Sequence, residues 1–169
     1  MSEKPLVAIL MGSKSDLETL EGAISTLQDF RVPFTARILS AHRTPHEVSE
    51  FVEKSEQEGI QVFICAAGMS AHLAGVVSAH TTLPVIAIPI PCEPFNGFDS
   101  LLSMVQMPPG IPVATVSAGK AGAKNSALLA VSILALKDET LAKKLKDFRR
   151  KQADKVLEAD KELQKKLSE

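Results

Sequence analysis

Leu6-Val7-Ala8-Ile9-Leu10-Met11, followed at once by Gly12-Ser13-Lys14-Ser15-Asp16, sets how the rest of the chain is read. Six consecutive apolar residues between Pro5 and Gly12 show no alternation. Such a short run is expected of a strand buried on both faces, as in a parallel sheet covered by helices. The residues that follow change period. From Leu17 to Phe30 the apolar positions 17, 20, 23, 24 and 27 make one helical stripe, with Ser15 or Asp16 available as N-cap.

The same alternation repeats downstream. Phe34 to Leu39 reads as a strand ending at Ser40-Ala41-His42-Arg43-Thr44-Pro45, and Pro45 is welcome in the first turn of a helix that runs to Glu58 and stops at Gly59. Ile60 to Ala67 is a third strand, and a helix is expected to begin near Ser70. Pro84 to Pro89 is a fourth strand, and the turn-rich segment from Pro91 to Gly97 leads to a short helix over Asp99 to Met104. Val113 to Val116 is a fifth strand, followed by an Ala- and Leu-rich helix over Ala123 to Leu136 that is apolar nearly all round and so expected to be buried. Strand and helix at this rhythm predict a three-layer α/β domain with a parallel sheet. Right-handed crossovers then bring every strand-to-helix loop to one edge of the sheet.

A single domain over 1–169 is expected, with an α/β core over 1–136 and a charged amphipathic helix over 137–169. That last segment holds 11 Lys or Arg and 8 Asp or Glu, with Leu141, Leu145, Phe148, Ala153, Val156, Leu157 and Leu163 at helical spacing. It can pack on its own domain or reach a neighbouring subunit.

Composition narrows the function. With 45% hydrophobic and 23% charged residues and a net charge of −1, the chain has no basic field to draw nucleic acid or an anionic membrane. It has no Trp or Tyr and only seven Phe on which bases could stack. No stretch approaches a membrane span or a signal peptide, so a cytoplasmic location is expected. Cys65 and Cys92 have neither CxxC spacing nor a partner cluster, so they read as free thiols and no metal site is expected.

In open parallel sheets ligands bind beyond the carboxyl ends of the strands. Three segments there carry chemistry. Gly12 to Asp16 offers hydroxyls and a helix N-terminus, suited to an anion, although Ser-x-Ser-Asp before a helix is often only a cap. Ser40 to Arg43 joins a forked cation suited to phosphate with a histidine able to move protons near neutral pH. Gly68 to Gly75 is rich in small residues that let backbone approach a ligand, and His72 there can contact substrate or cap its helix. His46 and His80 lack such company and read as solvated. No GxxxxGK[ST], GxGxxG, HExxH or Ser-His-Asp arrangement follows any strand. From the residues alone the reading stops at an enzyme for a phosphorylated ligand with His42 as acid–base.

Six ordered segments say more. MGSKSD (11–16), SAHRTP (40–45), AGMSAHLAG (67–75), LPVIAIP (83–89), NGFDSLLSMVQMPPGIPVATV (96–116) and AKNSALLA (123–130) together resemble the class I PurE family, the N5-carboxyaminoimidazole ribonucleotide mutases of purine biosynthesis. The resemblance runs from about Leu6 to about Arg150. It implies a flavodoxin-like, Rossmann-like fold assembled as a homo-octamer with active sites at subunit junctions. It also implies a cofactor-free migration of a carboxylate from the exocyclic nitrogen of an imidazole ribonucleotide to ring carbon C4. His42 falls on the family's acid–base position. Ser13 and Asp16 fall on substrate positions, with Asp16 toward the ribose hydroxyls, and Ser15, Ser40 and Arg43 would hold the phosphate. Ala67, Gly68, Ser70, His72 and Leu73 would line the pocket for imidazole and carbon dioxide. Many members read GAGGAAHLPG over 66–75, so Met69 and Ser70 are bulkier here. That departure motivates an alternative, direct carboxylation of aminoimidazole ribonucleotide by free carbon dioxide. A non-catalytic nucleotide-binding protein is the other alternative.

Overall fold

The computed structural model describes residues 4–168. Five strands form one parallel sheet: β1 (Val7–Met11), β2 (Phe34–Ile38), β3 (Val62–Gly68), β4 (Val85–Ile90) and β5 (Ala114–Thr115). Their order is β2-β1-β3-β4-β5, with Val7 beside Phe34 on one side and Val62 on the other. This is the parallel α/β sheet that the apolar runs predict.

Helices cover both faces, and the pleat of β1 shows why an unbroken apolar run was required. Val7, Ile9 and Met11 point into a core built with α1 (Leu17–Phe30), α5 (Gly119–Leu134) and the start of α6 (Glu139–Leu167). Ala8 and Leu10 point into the opposite core, under α2 (Pro45–Glu58), α3 (Leu73–Ala79) and α4 (Phe98–Val105). All five β1 residues are at most 2% exposed, so a polar residue at any of them would lie unsolvated.

Several boundaries differ from the expected ones for local reasons. The helix expected near Ser70 begins at Leu73: Met69 takes φ 57°, and the His72 amide donates to the Ser70 carbonyl, closing a turn first. α5 begins at Gly119, four residues before the expected Ala123, because Gly122 lets the first turn lie against the Ser117 carbonyl. One face of α5 is buried; Lys120, Ala121, Lys124 and Asn125 are exposed, so it is not enclosed all round. β5 is only two residues long.

α6 is two things in sequence. Asp138 caps it, accepting from the Thr140 and Leu141 amides at 2.8 and 3.0 Å. Leu141 is buried, Leu145 and Phe148 pack on the core, and the Phe148 ring lies 5.9 Å from that of Phe30. From Arg149 to Ser168 every residue is exposed. Among the described residues no helix is long and apolar enough to cross a membrane.

Candidate active site

The order of the strands places the site. The chain steps from β1 to β2 on one side, then to β3 on the other side of β1, so the loops after β1 and β3 diverge and leave a crevice between them. The loop after β2 closes one flank. A cavity of about 810 Å³ opens there, lined by residues from all three loops and by Cys92 beyond β4.

The first loop is held by its own side chains. Ser13 caps a single 3-10 turn (Lys14–Asp16): its hydroxyl accepts from the Ser15 amide at 3.3 Å, and Asp16 Oδ2 accepts from the Ser13 amide at 3.0 Å. This reciprocal box uses two amides that would otherwise be unpaired. Asp16 takes the N-cap position of α1, one of the two expected, but makes no side-chain cap bond there; the capping side chain is Ser13, at the start of the preceding turn. The Ser15 hydroxyl donates to Ser13 Oγ at 2.9 Å and approaches Asp16 Oδ1 at 3.4 Å. Asp16 is 7% exposed, and burial pushes its carboxyl above the usual 3.8. The hydrogen bonds from Ser13 and Ser15 and the nearby Arg43 charge oppose that shift without cancelling it.

The second loop is braced by Thr44. Its hydroxyl donates to the Ser40 carbonyl at 3.1 Å and accepts from the Ser40 amide at 2.9 Å, so the turn over 40–44 is closed from both sides. Arg43 Nη2 then reaches the Gly12 carbonyl at 2.8 Å, and its amide donates to Ser40 Oγ at 3.3 Å. Ser40, Arg43, Ser13 and Ser15 thus border one side of the cavity with hydroxyls and a fixed cation, a set matched to a phosphate.

The third loop brings the other wall. His42 and His72 meet across the cavity, Nε2 to Nδ1, at 2.9 Å with rings edge to face. Ala67, Gly68, Met69, Ser70 and Leu73 complete the lining. Gly68 has a packing reason to be glycine: a Cβ there would come within 2.5 Å of the Cys92 sulfur and 3.2 Å of the Ile90 carbonyl oxygen. All eleven residues singled out in the sequence therefore border one cavity.

Two residues with a part in it were missed. Cys92, read only as a free thiol, forms the floor beside Gly68, and its place just past a strand's carboxyl end was the available signal. Thr44, read as a helix opener, is the brace of the turn over 40–44. Cys65 lies fully buried in β3 and its thiol is pushed up, which removes it as a nucleophile. His46 and His80 stand apart. His80 faces Glu53 at 3.8 Å by a second cleft of about 620 Å³ at the opposite, amino-terminal edge of the sheet. Among the described residues no three His, Cys, Asp or Glu side chains gather in a way that could hold a metal ion.

Fold and site together define an open α/β enzyme scaffold with a wall of serine hydroxyls and one arginine facing a histidine pair at its topological switch point. The family model for AIR carboxylase matches residues 6–155. The chain is 50% identical over 160 residues to the N5-carboxyaminoimidazole ribonucleotide mutase of Bacillus subtilis, covering 95% of this chain and 99% of that protein. The enzyme of the same name from Escherichia coli K12 is 49% identical, covering 90% of each. A crystal structure of PurE from Treponema denticola superposes with a TM-score of 0.86 at 37% identity, covering 94% of this chain and 98% of that one. This chain belongs to the AIR carboxylase family.

Proposed function

We propose that the protein is an N5-carboxyaminoimidazole ribonucleotide mutase of purine biosynthesis, forming 4-carboxy-5-aminoimidazole ribonucleotide. The observation that carries this reading is the convergence of the Ser13–Asp16 turn, Arg43 and the His42–His72 pair on one cavity in a chain half identical to proteins of that name.

The substrate carries a phosphate dianion and a carbamate, and the cavity offers a matching polarity. Arg43 and the Ser13, Ser15 and Ser40 hydroxyls anchor the phosphate; Asp16 accepts from the ribose hydroxyls. The imidazole then lies toward Gly68 and His72. In the first step the C–N bond to the carboxylate breaks, its electron pair stays on nitrogen, and His42 delivers a proton there. In the second, C4 attacks the released carbon dioxide and His42 takes the C4 proton, restoring the ring. One histidine serves as acid and then base, typically worth about 10²–10⁴-fold. No cofactor enters this sequence. Ala67, Gly68, Ser70 and Leu73 wall in the carbon dioxide between the steps, excluding water that would let it escape.

The protein works in the cytoplasm as a homo-octamer with no nucleic-acid or membrane partner. The exposed second half of α6 supports assembly, since its apolar residues find no cover on their own domain. The test is direct. Purified protein given the N-carboxylated ribonucleotide, without ATP, metal or bicarbonate, is expected to yield the C4 isomer. Turnover only when aminoimidazole ribonucleotide and bicarbonate are supplied would instead establish the carboxylase. His42→Asn is expected to bind substrate and lose turnover.

A further inference from the structure

Thr44 stands where α2 begins, yet its side chain does nothing for that helix. Its carbonyl accepts from the Val48 amide at 3.1 Å, which fixes Thr44 as the N-cap. A threonine there ordinarily turns its hydroxyl onto an amide two or three residues ahead. No such bond forms. The hydroxyl turns back instead, accepting from the Ser40 amide at 2.9 Å and donating to the Ser40 carbonyl at 3.1 Å. The Thr44 amide reaches the same carbonyl at 2.9 Å. Pro45 supports this arrangement: the residue before a proline is kept out of the helical region, and Thr44 holds φ −136° and ψ 54°.

These three bonds close a five-residue loop whose middle residues are Ala41, His42 and Arg43. Ser40, Ala41, His42 and Arg43 all border the cavity, whereas Thr44 does not. Arg43 has a tether of its own at the Gly12 carbonyl. Among the described residues neither Ala41 nor His42 makes a backbone bond, so the main chain under His42 is held through the two ends of the loop. We propose that Thr44 is a positioning residue: without touching substrate, its hydroxyl fixes the loop that carries His42 and so sets where that ring meets the reacting atoms. The proposal rests on the mutase reading for what His42 does there.

The residue type suits the task. A hydroxyl has one proton to give and lone pairs to receive with, so it serves the Ser40 carbonyl and the Ser40 amide together. A carboxylate can only accept and would turn its lone pairs on the Ser40 carbonyl. Valine keeps the shape of threonine and makes neither bond. Serine keeps the hydroxyl but lacks the methyl that restricts χ1, so part of the time it is free to cap α2 instead. A loose loop matters because reacting groups displaced by about 1 Å can cost on the order of 100-fold in rate. Substrate binding is less exposed to that loss: Arg43 is held separately at Gly12, and Ser13 and Ser15 lie on another loop.

The test uses the full-length protein with Thr44→Val and Thr44→Ser, read by amide hydrogen exchange resolved at Ser40 and by steady-state kinetics. Thr44 is half-buried and belongs to neither core, so both variants are expected to fold. In Thr44→Val the Ser40 amide is expected to exchange roughly 5- to 10-fold faster than in wild type, the effect of one lost hydrogen bond. Its kcat is expected to fall about 10–100-fold with KM little changed. Thr44→Ser is expected to keep the slow exchange and most of the rate. Unchanged exchange or unchanged kcat in Thr44→Val, a loss confined to KM, or equal losses in the two variants would overturn the proposal. So would a Thr44→Val that does not fold, since the residue would then serve the fold at large. The exchange measurement needs no substrate, and the kinetics are ratios to wild type whether that protein turns over as a mutase or as a carboxylase. Failure of the mutase reading is thus seen in wild type, and failure of this proposal only in the variants.

Discussion

Arg43 Nη2 donates to the Gly12 carbonyl at 2.8 Å, tying the turn after β2 to the turn after β1 across the mouth of the cavity. The guanidinium is thereby aimed before any ligand arrives, and in the proposed function its other N–H groups serve the substrate phosphate. A lysine could offer its charge to the phosphate or to Gly12, not to both in this geometry. Arg43→Lys is therefore expected to raise KM roughly 10- to 100-fold, since hydrogen bonds to charged groups are worth about 1.5–3 kcal/mol. Steady-state kinetics checks this, and an unchanged KM would remove Arg43 from the phosphate site.

Asp16 gives a prediction whose sign follows from its raised pKa. A carboxyl that holds its proton more tightly in the fold than in the unfolded chain stabilises the fold at acid pH. That contribution is fully present below the ordinary value of 3.8 and is lost as pH rises through the higher folded value. At neutral pH the buried charge is therefore a cost. Asp16→Asn keeps an acceptor for the Ser13 amide and removes the charge. It is expected to raise Tm at pH 7, to match wild type below pH 3.8, and to lose ribose affinity. Thermal melts across pH with ligand titration test all three; a lower Tm at pH 7 would show that ionised Asp16 stabilises the fold.

The central strands β1, β3 and β4 were legible because burial on two faces leaves a mark that little else does, an unbroken run such as Leu6 to Met11. The order of those strands was not. Nothing local in Phe34 to Leu39 tells it to lie outside β1, and it is this choice that creates the crevice. For the site, residue type pointed to Ser40, His42 and Arg43, since a serine, histidine and arginine together after a strand suggest a ligand. The pairing of His42 with His72 is a tertiary relation thirty positions long and leaves no local signal. Helix starts at Leu73 and Gly119 were misplaced because each depends on one backbone contact, the Ser70 carbonyl in the first and the Ser117 carbonyl in the second.

Glycines separate packing from propensity. At Gly122 a Cβ would fall 1.6 Å from the Ser117 carbonyl oxygen, which is backbone and cannot swing away. Gly122→Ala is expected to destabilise by about 3 kcal/mol, the upper range for overpacking, and so to lower Tm by roughly 10 °C. Gly22, inside α1, would meet nothing closer than 3.7 Å. Gly22→Ala is expected to stabilise by about 0.5–1 kcal/mol through helix propensity. Denaturant melts of the pair check the contrast, and a stable Gly122→Ala would refute the close approach of α5 to the strand-end loop.

Met69 holds φ 57° with its side chain 62% exposed at the cavity rim. A non-glycine residue there costs of order 1–3 kcal/mol, and the exposed side chain recovers little by packing. Met69→Gly is expected to gain about 1 kcal/mol of stability, read as a higher denaturant midpoint. If Met69 also shields the carbon dioxide, the same variant releases more uncarboxylated nucleotide per turnover. A less stable Met69→Gly would mean that the thioether packs against the loop in a way that exceeds the strain.

The second half of α6 separates folding from assembly. Leu141, Leu145 and Phe148 dock the helix on its own core, while Val156 and Leu157 are 70% and 59% exposed and Leu163 and Leu167 are 53% and 72% exposed. Ala153, Val156, Leu163 and Leu167 follow one another at spacings of three, seven and four residues, which bring them to one seam, the pattern of a helix made to be covered by another surface. A chain ending at Arg150 retains every core contact of α6. It is expected to melt at close to the wild-type temperature when compared at equal subunit concentration in the dissociated state, and to run as a smaller particle by light scattering. Ending the chain at Lys137 instead removes Leu141 and Phe148 from the core and is expected to lower Tm as well. An oligomer of unchanged size after the Arg150 cut would show that the exposed seam holds no subunits together.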